Sequence, residues 1–274
     1  MLKDIFGKDA SILKEKKLWL FDMDGTIYNE NTLFDGALAL FDQIVRGGGS
    51  YVFITNNSSR SLADYVKKVY CLGVKADSNN FFTSTQATSI YIKDKYPNAK
   101  VYCQGTKSMI KELVESGLRI TESVEDDVGV VLVGFDTELT SEKLRRTCML
   151  LQRDLPFIAT NCDLRCPVSF GYIPDCGSIC QMITNATDKK PVFIGKPEST
   201  MIDCVLKKFG FKKDDAVVVG DRLYTDIATG INSRVTSICV LTGEATLKQI
   251  ESGNIKPSFT FNSIKDLVID INHG

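Results

Sequence analysis

Residues 18–26 read LWLFDMDGT, a run of large apolar side chains that stops at two aspartates. Four consecutive apolar residues, Leu18 to Phe21, are typical of a strand buried on both faces inside a parallel sheet. Asp22 and Asp24 follow at once, so the chain is expected to present two carboxylates at the carboxyl edge of that sheet. Ligands bind at that edge in open α/β sheets, but an Asp-Gly pair after a strand is also a common polar turn. The stretch alone leaves both interpretations open.

The composition is that of a globular protein. The 274 residues include 43% hydrophobic and 24% charged residues, and 33 basic against 34 acidic side chains give a net charge of −1. Neither a nucleic acid nor an anionic membrane is expected as a partner at this balance, and no apolar run approaches the ~20 residues of a membrane span. Nine cysteines without an apolar leader segment favour reduced thiols and a cytoplasmic location.

The single histidine narrows the chemistry. It is His273, the next-to-last residue. Ser-His-Asp and Cys-His arrangements are therefore excluded, as are metal sites built on several histidines. Any reaction must run on carboxylates, hydroxyls, lysines or thiols.

Predicted strands and helices alternate along the chain with short connections. Apolar runs at residues 51–54, 192–195 and 216–220 each precede a segment with helical spacing, and this alternation predicts a parallel sheet with right-handed crossovers. The pattern restarts near residue 99 and again near residue 191. We therefore predict a core made of residues 1–97 and 191–274, with residues 98–190 inserted as a second α/β domain.

Two local predictions accompany this organisation. Helical spacing over residues 33–46 predicts a helix; the residues expected on its apolar side are Leu38, Leu40, Phe41, Ile44 and Val45. The Gly- and Cys-containing stretch 174–182 is expected to lead out of the inserted block.

Polar residues follow four of the predicted strands. They are Asp22 with Asp24, Thr55 with Asn56, Lys196, and Asp221 with Asp226. If all four strands belong to one parallel sheet, these side chains meet at one edge. Carboxylates suit Mg²⁺, whereas a lysine, a hydroxyl and backbone amides stabilise a phosphoryl group. A carboxylate can also be the nucleophile, so the set indicates phosphoryl transfer.

The four strand ends resemble the motifs of the haloacid dehalogenase (HAD) superfamily of phosphatases. The matching stretches are DMDGT at 22–26, TNN at 55–57, GKP at 195–197 and GDRLYTD at 220–226. The order and spacing of the motifs, with a large insert between the second and the third, are similar to those of the NagD-like branch. That branch includes para-nitrophenylphosphatases and carries a type IIA cap. Residues 159–163 (ATNCD), here named the cap loop, and residues 174–179 resemble segments of that cap. The resemblance implies a Rossmann-like parallel-sheet core with a large inserted α/β cap domain.

The resemblance also implies a role for each acidic residue. Asp22 would attack phosphorus, and because aspartate is ordinarily ionised at pH 7 it needs no partner base. Asp24 would protonate the leaving oxygen and then accept a proton from water. Mg²⁺ would be held by Asp22, the Asp24 backbone carbonyl and Asp221, with Asp226 in or beside the site.

The remaining implied roles concern the substrate, a small phosphorylated metabolite. Thr55, Asn56 and Asn57 would bind its phosphate, and Lys196 would offset the charge on the nucleophile and the phosphoryl oxygens.

The cap would exclude water and read the leaving group, with Asp163 and Arg165 as candidates, and it could mediate homo-oligomer formation. Members that act on pyridoxal phosphate place a histidine near the position of Cys166. This chain has none, which disfavours that substrate.

Two alternatives remain open. Cysteines at positions 162, 166, 176 and 180 form C-x₃-C-x₉-C-x₃-C, which would suit a zinc-binding interaction module, although structural zinc sites more often use two-residue spacings. The other alternative is a non-catalytic sensor of phosphorylated ligands. The presence of Asp22, Asp24, Lys196 and Asp221 together favours an enzyme instead.

Overall fold

The computed structural model describes residues 2–168 and 170–268 and confirms the predicted α/β class. The chain divides into two compact units. The first contains the described residues up to Ile54, Val66–Phe82 and the described residues from Pro197 onward; the second contains Thr55–Tyr65 and Thr83–Lys196. This division differs from the predicted boundaries at residues 55–65, 83–97 and 191–196, and the predicted domain roles stay a prediction. His273 lies outside the described residues.

Strands and helices alternate along the described residues. The strands are β1 (Leu18–Phe21), β2 (Tyr28–Asn29), β3 (Thr32–Leu33), β4 (Ser50–Thr55), β5 (Phe81–Thr83), β6 (Lys100–Gln104), β7 (Arg119–Thr121), β8 (Val128–Val133), β9 (Phe157–Ala159), β10 (Arg165–Val168), β11 (Gly171–Pro174), β12 (Val192–Phe193), β13 (Ala216–Gly220), β14 (Thr236–Val240) and β15 (Phe259–Phe261). The α-helices are α1 (Ala37–Arg46), α2 (Leu62–Cys71), α3 (Ser84–Lys95), α4 (Lys107–Glu115), α5 (Ser141–Leu151), α6 (Cys176–Thr187), α7 (Ser199–Phe209), α8 (Ala228–Ser233) and α9 (Leu247–Ser252). None of these helices combines the length and the apolar character that a bilayer span requires.

The larger sheet is built around β1. Its strand order is β15-β14-β13-β1-β4-β5, and β1 pairs in parallel with both neighbours, so that Leu18 lies opposite Ala216 on one side and Ser50 on the other. Every residue of β1 and β13 is buried. Burial on both faces explains why these strands read as unbroken apolar runs rather than as alternating patterns.

The second unit contains a sheet of its own, with the order β12-β9-β8-β6-β7. Its strands also pair in parallel. Helices α5 and α6 cover it with an apolar cluster that includes Val131, Leu150, Phe157 and Ile179. Strands β10 and β11 pair with each other as a separate antiparallel hairpin, in which Arg165 lies opposite Pro174 and Val168 opposite Gly171.

We assumed that the four strands followed by polar residues share one sheet. This is wrong for the strand before Lys196. That strand, β12, has two residues, and it pairs with β9 through Val192 opposite Ile158 and Phe193 opposite Ala159. It therefore belongs to the sheet of the second unit. Sequence periodicity indicates that a segment is a strand but carries no information about which neighbour it joins.

The predicted helix at residues 33–46 is shorter and turned differently. Thr32 and Leu33 belong to β3, and α1 begins after Gly36, whose φ of 83° breaks the helix before Ala37. The buried residues of α1 follow the i, i+3, i+4, i+7 pattern: Ala37, Leu40, Phe41 and Ile44. Leu38 and Val45 fall off this face and are 50% and 56% exposed, so their predicted burial is wrong.

The stretch 174–182, expected to lead out of the inserted block, mostly belongs to α6, and the second unit continues beyond it to Lys196. Asp175 caps α6 by accepting a hydrogen bond from the Cys176 N–H at 2.5 Å. Gly177 lies in the first turn because a Cβ there would collide with the Cys162 carbonyl. Close packing, not flexibility, therefore accounts for this glycine.

Truncation of the central strand should destabilise the first unit strongly. Leu20 is fully buried in β1, so Leu20→Ala is expected to cost about 2–5 kcal/mol of unfolding free energy. Leu38→Ala, at the half-exposed α1 position, should cost less than about 1 kcal/mol. Urea unfolding followed by the fluorescence of the single tryptophan, Trp19 on the same strand, measures both. Equal losses in the two variants would contradict the assigned burial.

Candidate functional site

Asp22 and Asp221 follow neighbouring strands. β1 ends at Phe21 and β13 at Gly220, and Phe21 lies opposite Val219 in parallel register. The Asp22 N–H continues this pairing by donating to the Val219 carbonyl at 2.9 Å. Because the two strands run parallel and end together, both aspartates emerge at the carboxyl edge of the sheet.

A third carboxylate completes the group, here named the acidic cluster: Asp22, Asp221 and Asp226. Asp226 lies in a π-helical turn, Leu223–Ile227, and packs so closely on Gly220 that a Cβ there would collide with it. One carboxylate oxygen of each aspartate lies within 4.8 Å of the other two. Asp221 and Asp226 are 2% and 0% exposed, so little solvent screens their repulsion.

Donors and glycines fix the Asp221 carboxylate. Its Oδ2 accepts a hydrogen bond from the Glu244 N–H at 2.8 Å, and its Oδ1 accepts a long one from the Thr26 hydroxyl at 3.4 Å. Gly25, at φ +84°, and Gly243 both lie against the carboxylate, and a Cβ at either position would collide with it. The backbone therefore approaches Asp221 more closely than any other residue type would permit.

Arg222 brings a permanent positive charge to this edge. Burial alone would lower the pKa of its guanidinium, but the charges of Asp22 and Glu244 raise it above the ordinary value. Arg222 Nε lies 3.7 Å from Glu244 Oε1. The arginine thus offsets part of the negative charge of the cluster.

The acidic cluster fits a hard divalent cation. Carboxylate oxygens are the ligands that Mg²⁺ takes in proteins, and it fills the rest of its octahedron with water and phosphate oxygens. Within residues 2–168 and 170–268, no thiol or imidazole joins this group. On the adjacent strand β14, burial raises the pKa of the Cys239 thiol to about 12, with Asp221 adding to the shift, so this thiol stays protonated at neutral pH.

Asp24 lies apart from the cluster in its contacts. Its carboxylate is largely exposed, with Oδ1 3.4 Å from Lys68 Nζ and Oδ2 accepting a hydrogen bond from the Tyr28 hydroxyl at 3.2 Å. The two aspartates of the DMDGT motif therefore have different surroundings, which is what different roles require.

In the second unit, the side chain of Asn56 joins the third motif to the cap loop. Its Nδ2 donates to the Lys196 carbonyl and to Asp163 Oδ2, both at 2.8 Å, and its Oδ1 accepts from the Lys196 N–H at 2.7 Å. Asn56 thereby bonds the Lys196 backbone as a strand neighbour would. Gly195 permits this approach, because a Cβ there would collide with Asn56 Oδ1.

Asp163 belongs to the same buried network. Besides Asn56, its Oδ2 accepts a hydrogen bond from Asn161 Nδ2 at 2.9 Å, and Asn161 Nδ2 also donates to Asp175 Oδ1 at 3.1 Å. Asp163 Oδ1 is buried and accepts no hydrogen bond from the described residues. The network links the second motif, the cap loop and the start of α6.

The other predicted phosphate ligands are Thr55, the last residue of β4, and Asn57, in the turn that follows. Thr55 Oγ1 accepts a hydrogen bond from the Asn57 N–H at 3.1 Å. Asn57 Oδ1 accepts from the N–H and the hydroxyl of Ser59, at 2.9 and 2.7 Å. These bonds fold the turn and use the oxygens of both side chains as acceptors.

Arg165 and the cysteines complete the inventory. Arg165 is exposed on β10, where its guanidinium lies 4.4 Å from the centre of the Tyr172 ring, and so it does not share the buried network of Asp163. Among the described residues, the cap cysteines form no group of three with metal-ligand spacing. The geometry gives the zinc-binding alternative no support.

Known proteins resemble the chain over nearly its whole length. Residues 19–119 match the family described as haloacid dehalogenase-like hydrolase, and residues 193–267 match an HAD-hydrolase-like family. An acid sugar phosphatase of Staphylococcus saprophyticus is 31% identical over 94% of this chain and 99% of its own length.

The chain belongs to the haloacid dehalogenase-like hydrolases. Among solved structures, the 4-nitrophenylphosphatase of Thermotoga maritima superposes with a TM-score of 0.89 at 36% identity, over 94% of this chain and 98% of that one. A glycerol phosphate phosphatase of Mycobacterium tuberculosis, solved in complex with magnesium, gives a TM-score of 0.87 at 27% identity, over 93% and 77%. The expectation of an HAD-type phosphatase of the NagD-like, nitrophenylphosphatase branch is confirmed.

Several residues of this HAD phosphatase escaped the sequence analysis. Lys68 and Tyr28 contact Asp24, Arg222 and Glu244 lie beside the cluster, and Asn161 supports Asp163. Arg222 sits inside the fourth motif and Asn161 inside the cap loop, so position alone could have flagged these two. Lys68 is one of many helix-surface lysines, and nothing in its spacing distinguishes it.

Loss of the Asn56 donors should destabilise this phosphatase. Asn56→Asp places a carboxylate against the Lys196 carbonyl and the Asp163 carboxylate, so the free energy of unfolding should fall by about 2–4 kcal/mol. The loss should grow as pH rises from 5 to 8, because the ionised form of the introduced group is the one that burial disfavours. Calorimetry and hydrogen exchange at the Lys196 amide would measure both effects.

Asn57→Asp provides the matched control. Asn57 uses its side-chain oxygen as an acceptor, a function that a carboxylate retains, so its stability should change by less than about 0.5 kcal/mol. Similar losses in the two variants would contradict the network assigned to Asn56.

Proposed function

We propose that this phosphatase hydrolyses a small phosphomonoester through an aspartyl-phosphate on Asp22, with Mg²⁺ as cofactor. The observation that carries the proposal is the acidic cluster at the carboxyl edge of the parallel sheet, where the three carboxylates lie within 4.8 Å of one another. Such a concentration of negative charge is unfavourable unless a cation offsets it.

The reaction has two steps on the chain's own residues. A carboxylate oxygen of Asp22 bonds to phosphorus while the bond between phosphorus and the ester oxygen breaks, and Asp24 gives that oxygen its proton. A water molecule then attacks the phosphorus, the bond to Asp22 breaks, and Asp24 takes up the proton of the water. Phosphate and free Asp22 result, and Asp24 is again protonated.

Asp22, Asp221 and the Asp24 backbone carbonyl would hold the cation, with Asp226 supporting them. When bound, Mg²⁺ neutralises charge on the nucleophile and on the phosphoryl oxygens. Gly25 and Gly243 keep Asp221 fixed for this role, because both backbone segments touch its carboxylate. The magnesium-bound relative gives independent support for the identity of the ion.

The phosphate ligands are Thr55, the backbone amide of Asn56, Asn57 and Lys196. Two observations support the role of Lys196. Lys196 is 3% exposed, a degree of burial that is rare for lysine, and its backbone N–H and carbonyl are both hydrogen-bonded by the Asn56 side chain. A buried ammonium group suits the stabilisation of phosphoryl oxygens.

For the leaving group we propose a small sugar or polyol. Relatives named acid sugar phosphatase and glycerol phosphate phosphatase support this class. Arg165 on the β10–β11 hairpin, and Asp163 through the network that it shares with Asn56, would contribute to selection. The cytoplasmic location and the association of copies through the cap stay predictions.

Removal of the nucleophile should abolish turnover. Asp22→Asn replaces the attacking carboxylate by an amide and should lower kcat by at least about 10³-fold, measured by phosphate release over a panel of sugar, polyol and aryl phosphates with Mg²⁺. Asp42→Asn, on the exposed face of α1, is the control and should retain full activity. Retention of activity in Asp22→Asn would contradict the mechanism, and ligand binding without turnover in the unmodified protein would favour the sensor alternative.

Metal affinity should depend on Asp221. Asp221→Asn is expected to weaken Mg²⁺ binding at least about tenfold, because an anionic ligand becomes neutral. The readout is the rise in melting temperature with added Mg²⁺, which requires no turnover. Asp203→Asn, at an exposed acid paired with Lys213 at 3.3 Å, should leave the Mg²⁺ response unchanged. An unaltered response in Asp221→Asn would exclude this residue as a ligand.

A further inference from the structure

Asp24 lies in a contact set that the four motifs do not include. The Tyr28 hydroxyl donates to Asp24 Oδ2 at 3.2 Å, and Lys68 Nζ lies 3.4 Å from Asp24 Oδ1. Lys68 Nζ also lies 4.0 Å from the centre of the Tyr28 ring. Each pair among Asp24, Tyr28 and Lys68 is therefore in contact.

We propose that Lys68 and Tyr28 are positioning residues that fix the rotation of the Asp24 carboxyl group for proton transfer to the leaving oxygen. The inference rests on the proposed function, in which Asp24 is the acid and base. It adds Lys68 on α2 and Tyr28 on β2 to the functional residues of the four motifs.

Tyr28 is the more rigidly held of the two positioning residues. Its side chain is fully buried, and its backbone carbonyl accepts a hydrogen bond from the Gly25 N–H at 2.9 Å, while Asp24 and Tyr28 form an isolated bridge. The turn after β1 thus folds back on itself and carries the tyrosine hydroxyl to Asp24. A buried ring also has few orientations open to it, so its hydroxyl oxygen keeps a fixed position beside Asp24.

Lys68 comes to Asp24 from α2. Its side chain is 22% exposed against 60% for that of Asp24, and its ammonium group lies over the tyrosine ring. Cation–π contact restricts a side chain that is otherwise flexible. The neighbouring Lys67 is exposed and offers a comparison of equal charge on the same helix.

The arrangement engages both oxygens of Asp24. Without it, an exposed carboxyl group rotates about its χ angles, and only part of its population faces the ester oxygen. General acid catalysis is worth about 10²- to 10⁴-fold when the donor is well placed, and a single exposed ion pair contributes only a small part of such an effect. A partial loss of proton transfer, rather than its abolition, is therefore expected when Lys68 is removed.

The effect should depend on the leaving group. A sugar or polyol oxygen must be protonated as it departs, whereas the p-nitrophenolate anion departs without a proton. Lys68→Met keeps the apolar stem and removes the charge. It should lower kcat/KM by about tenfold for glycerol phosphate, a fraction of the full contribution of the acid, and by less than about twofold for p-nitrophenyl phosphate.

Three companion variants make the test specific. Tyr28→Phe keeps the buried ring and removes the hydroxyl, and it should show the same selective loss. Lys68→Arg keeps the charge and can stack on the tyrosine ring, so it should restore at least half of the activity lost for glycerol phosphate. Lys67→Met should match the unmodified protein on both substrates. All are assayed at saturating Mg²⁺, after calorimetry shows an unchanged melting temperature.

Two results would overturn the inference. An equal loss of kcat/KM on both substrates would mean that Lys68 has no special connection with proton transfer. A rise in KM with unchanged kcat on both would mean that Lys68 binds the phosphate. Either result leaves the proposed function intact as long as Asp22→Asn is inactive, whereas activity in Asp22→Asn would remove the basis of both proposals.

Discussion

Electrostatic repulsion among Asp22, Asp221 and Asp226 is the constraint on which much of the first unit's local structure depends. The parallel register of β1 and β13 brings Asp22 and Asp221 together at one edge, and the turn Leu223–Ile227 adds Asp226. Two neighbours reduce the free-energy cost of this repulsion: the Glu244 N–H donates a hydrogen bond to Asp221, and Arg222 contributes a positive charge. The repulsion that remains would favour the cation binding proposed for this site, because a bound cation would offset it.

The same constraint determines residues that carry no charge. Gly25, Gly220 and Gly243 lie against the carboxylates of the cluster, and a Cβ at any of them would collide with Asp221 or Asp226. A carboxylate enclosed in this way cannot swing aside to relieve repulsion. Rigid placement is what a site needs to stabilise charge without reorganising during the reaction.

The strand ends were predictable because burial on both faces leaves an unambiguous apolar run. Ala216–Gly220 agrees with its predicted bounds, and the polar residues after β1 and β13 do meet. The membership of β12 was not predictable, since two residues form too short a pattern to reveal their neighbour. The exposed Leu38 and Val45 show a further limit: apolar residues are common on protein surfaces, so apolar character alone does not define a buried face.

The hydrogen-bond partners of the candidate residues could not be predicted from the sequence. These partners show that two residues with the same predicted role have different surroundings. Asp163 and Arg165 are two positions apart and were predicted together as readers of the leaving group. Asp163 Oδ2 accepts hydrogen bonds from Asn56 and Asn161 inside a buried network. Asn56 in turn accepts a hydrogen bond from the Lys196 N–H, so Asp163 is linked to the Lys196 backbone. Arg165 is exposed and stacks on Tyr172. A change at Asp163 must therefore disturb the support of Lys196 whatever substrate is used, whereas Arg165 can vary without that cost. Of the two residues proposed to select the leaving group, Arg165 is therefore the one that can change while the network stays intact, and Asp163 acts through the network that it completes.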